Sequence, residues 1–265
     1  IRRRRREARV RDALDRSSAE EARRVEEGRA LEEALAVVWQ AFQPIVDRRT
    51  LAPVAFEALL RTSHATLSSP VTVLESAERL LRLADVGRTM RGAIAQAVGA
   101  GGGGGDVFVN LHPLDLLDED LYAPDAPLTR FAGRVVLEVT ERASLRELPD
   151  LAGRLTRLRA LGFRLAVDDL GAGYSGLASL AELQPEFVKL DMGLVRGVQH
   201  DARRRRLVGA VVELCRSLGA ITVAEGVETE EERAVLSELG CDLLQGYLLG
   251  RPARGFPAAM RRAAS

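Results

Sequence analysis

From residue 36 onward the chain alternates two hydrophobic patterns. Short apolar runs of strand length fall at Val37–Val46, Val54–Leu60, Val107–Leu111, Val135–Val139, Arg164–Asp168, Phe187–Leu190, Ile221–Ala224 and Leu243–Leu248. Between most of them lie helical stretches: Val71–Val98, which divides into two helices, then Leu145–Leu161, Arg203–Leu218 and Glu230–Leu239. Eight strands mostly separated by helices predict an α/β fold, a TIM-like (β/α)8 barrel. A doubly wound open sheet shares the alternation, but it would normally carry a nucleotide fingerprint after its first strand. The first two runs are joined by Asp47–Pro53, too short for a helix, so the barrel is expected to start irregularly, with a hairpin.

Two segments depart from the alternation. Residues 1–35 are rich in Arg, Glu and Ala, and Glu7 with Arg11 and Glu20 with Arg24 stand at the i,i+4 spacing that supports a helix. Their apolar positions are too sparse for a heptad, so 1–35 is expected to be an exposed connector helix, with a signalling coiled coil as the alternative, and 36–258 the barrel domain. The glycine run 101–105 reads as a flexible loop. It is not a phosphate cradle, because no Lys-Ser/Thr follows and the next element is a strand.

Composition narrows the function. Acidic and basic residues balance at 38 each, which gives no basic field for polymeric nucleic acid. Two cysteines, Cys215 and Cys241, make no disulfide framework, and no run reaches the length of a membrane span or signal peptide. A cytoplasmic protein is expected. The chain begins without Met, which suggests a fragment separated from an upstream sensory or signalling domain, and a homodimer is compatible with it.

The basic residues hold a sharper signal: of the 38, Lys189 is the single lysine and the rest are arginine. Asn110 is the single asparagine. Lysine is a compact point charge that the planar guanidinium does not imitate, and asparagine supplies a neutral oxygen for a hard cation. Catalytic groups of such barrels sit at the C-terminal ends of strands. Those ends read Glu57, Asn110, Glu138, Asp168 with Asp169, Lys189 with Asp191, Glu225 with Glu228, and Gln245. One inward acid is ordinarily a salt-bridge partner, but five around one lysine call for bound cations. Carboxylate and amide oxygens suit Mg²⁺ or Mn²⁺. Zinc fits poorly, since His64, His112 and His200 show no ligand spacing, although His112 shares the neighbourhood of Asn110.

These segments resemble the EAL-domain cyclic di-GMP phosphodiesterases. The resemblance lies in Gln43-Pro44-Ile45-Val46, Phe56-Glu57-Ala58-Leu59-Leu60-Arg61, Val109-Asn110-Leu111 and Leu137-Glu138-Val139-Thr140-Glu141. It continues in Val167–Ser175, Val188-Lys189-Leu190-Asp191, Ala224–Thr229 and Gln245-Gly246-Tyr247, in the family's order over about residues 38–255. It implies hydrolysis of cyclic di-GMP to linear pGpG with two Mg²⁺ or Mn²⁺ ions. Glu57, Asn110, Glu138 and Asp168 would hold one ion; Asp168, Asp169 and Glu225 would hold the second. Lys189 and Glu225 would be catalytic, Gln43, Arg61, Asp191 and Gln245 would bind substrate, and Glu141 would steady a loop. Leu170 and Ala172 depart from the family's usual Phe and Thr, and His112 from its usual Ser. A catalytically silent receptor for cyclic di-GMP is the alternative, and a barrel phosphodiesterase for another substrate a third. Every ligand position is filled, which favours the enzyme.

Overall fold

The computed structural model describes residues 20–101, 104–140, 145, 148–171 and 176–256; Glu141, Ala172, Tyr174 and Ser175 lie outside the described residues. Two compact units emerge: one takes the chain through Trp39 together with Leu60–Val86, the other takes Gln40–Leu59 and everything from Gly87.

In the first unit helix α1 covers 20–36 and helix α2 covers Pro70–Arg79. Ser69 caps α2 by accepting from Thr72 N, with Pro70 at the first helical position, where its missing N–H costs nothing. The first turns of α1 are exposed, whereas Leu31 and Ala34 are fully buried. Glu27 pairs with Arg79 at 2.5 Å, and Glu32 with Arg82 at 3.0 Å.

The first residues of the first barrel strand and of the helix after α2, and the last of the second strand, are counted with the first unit; the second unit holds the rest of the barrel. Its strands are β1 (Val38–Asp47), β2 (Pro53–Thr62), β3 (Asp106–Asn110), β4 (Val135–Thr140), β5 (Arg164–Leu170), β6 (Phe187–Leu190), β7 (Ile221–Ala224) and β8 (Leu243–Gln245). They pair in the order β2-β3-β4-β5-β6-β7-β8-β1, and a β2–β1 pairing closes the ring. Neighbours from β2 to β8 are parallel, whereas β1 runs antiparallel to β8, which is the irregular start expected. A two-residue strand β9 (Ala253–Arg254) continues along β1 beside Ala41 and Phe42. The helices are α3 (Leu83–Gly99), α4 (Leu151–Ala160), α5 (Gly176–Leu183), α6 (Met192–Val195), α7 (Ala202–Ser217) and α8 (Glu230–Leu239). Among the described residues no helix is long and apolar enough to cross a membrane.

Inside the barrel every strand follows one rule. Ile45, Ala55, Phe108, Val136, Ala166, Phe187 and Val223, one from each of β1–β7, form a separate apolar cluster with Leu243 of β8 against it. Two residues from each of these stands a polar one: Gln43, Glu57, Asn110, Glu138, Asp168, Lys189, Glu225 and Gln245. A period of two places both sets on the same strand face, so an apolar floor underlies a polar layer. The order is reversed only in β1, whose direction is reversed. Outward positions pack instead into the larger core with the helices.

Three expectations about elements needed revision. Strand β8 ends at Gln245 rather than Leu248, because Gly246 lies against the backbone of Val227 where a Cβ would clash, and the chain turns there. Helix α4 begins at Leu151, after Pro149 and a left-handed Asp150. Strand β5 continues past Asp168 to Leu170, across an irregularity in its pairing with β6.

Candidate active site

Lys189 is the hub of the polar layer. At 1 % exposure its Nζ lies 2.6 Å from Glu225 Oε1, 2.7 Å from Glu138 Oε1, 3.0 Å from Asp168 Oδ1 and 3.4 Å from Glu57 Oε2. Strands β2, β4 and β5 and the residue that follows β7 each supply one carboxylate and β6 the ammonium, so closure of the barrel creates the cluster. Burial opposes the lysine's charge, but the four carboxylates prevail and hold its pKa well above the usual value. Burial pushes Glu138 well above the ordinary carboxyl range despite Lys189, and pushes Glu225 up to about 8.

The ring is still short of positive charge. With Asp169 it holds five carboxylates against one ammonium. Both Glu138 oxygens and Asp168 Oδ1 are buried, and the Lys189 ammonium, at 2.7 and 3.0 Å, is the cation that the described residues place against them. Single oxygens of Asp168, Asp169 and Glu225 lie within 4.8 Å of one another. Asn110 Nδ2 donates to Glu57 Oε1 at 3.2 Å, which does not engage its amide oxygen. Hard divalent cations fit this donor set: all-oxygen, anionic, and preformed with lone pairs to spare.

Asp168 and Asp169 are consecutive, and in a regular strand their side chains would point to opposite faces. The pairing with β6 slips between Val167 and Leu170, and Asp169 takes a left-handed φ of 56°. This bulge turns the second carboxylate back beside the first. The sequence contains both aspartates, but strict alternation would have sent Asp169 outward.

The two glutamines expected to bind substrate are tied to this cluster. Gln245 Nε2 donates to Glu57 Oε2 at 2.6 Å and to Gln43 Oε1 at 3.3 Å, while Gln43 Nε2 donates to Gly250 O at 3.1 Å. Asp191 caps α6, its Oδ1 accepting from Gly193 N at 2.8 Å. All three line an open pocket of about 340 Å³ over the ring, with Met192, Arg196, Glu228 and Tyr247 at its rim. There Arg196 and Glu228 form an ion pair, and the Arg251 guanidinium stands 4.3 Å from the Tyr247 ring centre. A larger hollow at the opposite end of the strands, lined by Arg48, Arg164, Phe108 and Phe187, contains none of the polar layer. Arg61 belongs to the first unit, where its Nη1 donates to Leu60 O at 2.7 Å. His112 caps a short 3-10 turn, accepting from Leu114 N at 3.1 Å. The expectation for Glu141 falls outside the described residues.

Fold and site together define a (β/α) barrel with an acidic mouth built around one lysine. The chain belongs to the EAL domain family, whose model matches residues 29–252. It is 34% identical over 221 residues to the bifunctional diguanylate cyclase/cyclic di-GMP phosphodiesterase MucR of Pseudomonas aeruginosa, covering 80% of this chain and 32% of that protein. Cyclic di-GMP phosphodiesterase RocR of the same species is 39% identical over 150 residues, covering 54% of this chain and 38% of the relative. The chain thus spans about a third of the length of these curated relatives. Among solved structures, Klebsiella pneumoniae BlrP1, a manganese/cy-diGMP complex, aligns with a TM-score of 0.70 at 33% identity, over 82% of this chain and 56% of that one.

Proposed function

We propose that this chain is a metal-dependent phosphodiesterase that adds water across one diester bond of cyclic di-GMP and releases linear pGpG. The observation that carries the proposal is the buried Lys189 ammonium within 3.4 Å of four carboxylates, with further carboxylate charge left uncompensated. The names of the similar proteins supply the substrate, as does the cy-diGMP held by BlrP1. Residues 36–258 are the proposed catalytic barrel, and 1–35 the proposed connector to an upstream signalling domain.

Glu57, Asn110, Glu138 and Asp168 would hold one Mg²⁺ or Mn²⁺; Asp168, Asp169 and Glu225 would hold a second. When bound, these ions supply Lewis acidity toward the phosphodiester and toward water. Lys189 donates to the attacking water and fixes its direction, which a single point charge does better than a planar fork. Glu225, a ligand that also faces Lys189, receives the water's proton. Gln43, Asp191 and Gln245 orient the nucleotide from the pocket wall. The phosphate contact assigned to Arg61 rests on the family resemblance alone, and Arg61→Ala should raise KM more than it lowers kcat.

The test is incubation of the chain with cyclic di-GMP and Mg²⁺ or Mn²⁺, followed by nucleotide separation. Linear pGpG is expected, and none should form with chelator. Binding without product in either metal would replace the enzyme with a receptor. Ca²⁺ prefers longer ligand distances, about 2.3–2.6 Å, and should bind while supporting little turnover.

A further inference from the structure

The carboxylate of Glu232, on α8, is buried and touches no part of the polar ring, yet it holds together the two loops that follow β6 and β7. Its Oε1 accepts from Gly197 N at 3.0 Å, in the turn after α6. Its Oε2 accepts from Glu228 N at 2.9 Å and Thr229 N at 3.2 Å, in the loop after β7. Burial alone would raise its pKa, but three amide donors offset this and hold the carboxyl below the usual range. Beside this clasp, Arg196 precedes Gly197 and pairs with Glu228, which precedes Thr229.

The loop it grips carries Glu225 and is fixed at three further points. Glu225 N donates to Leu190 O at 3.1 Å. Val227 donates to Gln245 O at 3.0 Å and accepts from Leu248 N at 3.1 Å. Gly226, at φ 67°, passes so near Met192 that a Cβ would stand 2.7 Å from the methionine's Cβ. Lys189 lies within β6, one residue before its end, and Glu225 is the first residue after β7, so the path of the loop after β7 sets their 2.6 Å contact.

We propose that Glu232 is a positioning residue that locks the loop after β7 to the turn after α6, and so sets Glu225 against Lys189 for cation binding and hydrolysis. The proposal rests on the phosphodiesterase reading for its second half only, since cation binding can be read without turnover. Outer partners of a metal site typically contribute about 10–100-fold in affinity or activity when lost.

The experiment compares Glu232→Gln with Thr229→Ala by Mn²⁺ titration calorimetry, melting temperature, and kcat and KM on cyclic di-GMP. Gln turns one of the two accepting ends into a donor facing a backbone N–H. Thr229→Ala removes only the hydroxyl that accepts from Glu232 N at 3.1 Å, a helix cap. We expect both to melt lower, but only Glu232→Gln to bind Mn²⁺ at least tenfold more weakly and to lose at least tenfold in kcat with KM little changed. Should the Gln variant not fold, Glu232→Asp, charged but one methylene shorter, is expected to show the same weakened Mn²⁺ binding. Unchanged Mn²⁺ affinity in a folded Glu232 variant, or equal losses in both variants, would overturn the proposal. Failure of the wild type to hydrolyse would overturn the enzyme reading instead and leave the Mn²⁺ comparison standing.

Discussion

The floor and the mouth of this barrel are built from the same strands, two residues apart, yet they obey opposite rules. In the floor Phe108 and Phe187 meet edge to face at 5.0 Å, in a buried apolar cluster. In the mouth the same two strands present Asn110 and Lys189. The floor gains stability from each group buried; the mouth spends stability by crowding charges of one sign around a single cation. Stability and function are therefore separable along every strand, one step of the pleat apart.

Substitutions should respect that separation. The largest effect is expected from Phe108→Ala, which opens a void in the floor and should cost about 3–5 kcal/mol of stability. Denaturant melts should show it, while turnover per folded molecule stays within a few fold; a large turnover loss with unchanged stability would break the distinction. In the mouth, Lys189→Arg keeps the charge but replaces a point donor by a wider plane. A displacement of about 1 Å can cost on the order of a hundredfold in rate, so at least that loss is expected with little change in melting temperature. Near-normal hydrolysis by this variant would remove Lys189 from the chemistry.

Next in size is a pH effect confined to the mouth. Without cation the Glu225 carboxyl titrates at about 8, against 4.5 for its ordinary value, so the folded chain holds a proton that the unfolded chain has lost. The stability this adds is fully present below pH 4.5 and is lost as pH rises through about 8. Melting in chelator should therefore weaken over that interval. Cation binding must expel this proton and any that the raised Glu138 carboxyl holds, so Mn²⁺ affinity should rise at least about tenfold per pH unit below pH 8. Calorimetry in buffers of different ionisation enthalpy counts the proton; no release at pH 7 would contradict the assignment. The smallest effect, about 0.5–1.5 kcal/mol, is expected from Ile45→Val in the floor, with turnover unchanged.

Much of this was legible in the chain. The parallel strands are buried on both faces and so read as short continuous apolar runs, each interrupted by the polar residue that faces the mouth. Their place at the strand ends made Glu57, Glu138 and Asp168 stand out, and Asn110 and Lys189 stood out as the single residues of their types. Helix α5 was missed because eight residues give too little periodicity, and the 3-10 turns at Pro113–Leu117 and Glu119–Tyr122 are shorter still. Glu232 was hidden because acids are common in the first turn of a helix; its reach to Gly197 depends on a fold that brings two loops together. Gln43 and Gln245 were singled out in the sequence, but the hydrogen bond between them, across 202 residues, and the one from Gln245 to Glu57 could not be read there.

The bulge at Asp169 gives the paired aspartates a fixed bite, which in the proposed reading is that of a chelate. Most distances in the mouth depend on how eight strands happen to be staggered, whereas this one is set by a single peptide unit held at a left-handed φ of 56°. Holding a non-glycine residue there costs of order 1–3 kcal/mol, which the surrounding sheet must sustain. In return the spacing of these two donors is calibrated by covalent geometry and is insulated from breathing of the ring. Under hydrostatic pressure, followed residue by residue with NMR, the Lys189–Glu225 contact should therefore open before the aspartate bite does; the reverse order would show that the bite belongs to the ring after all.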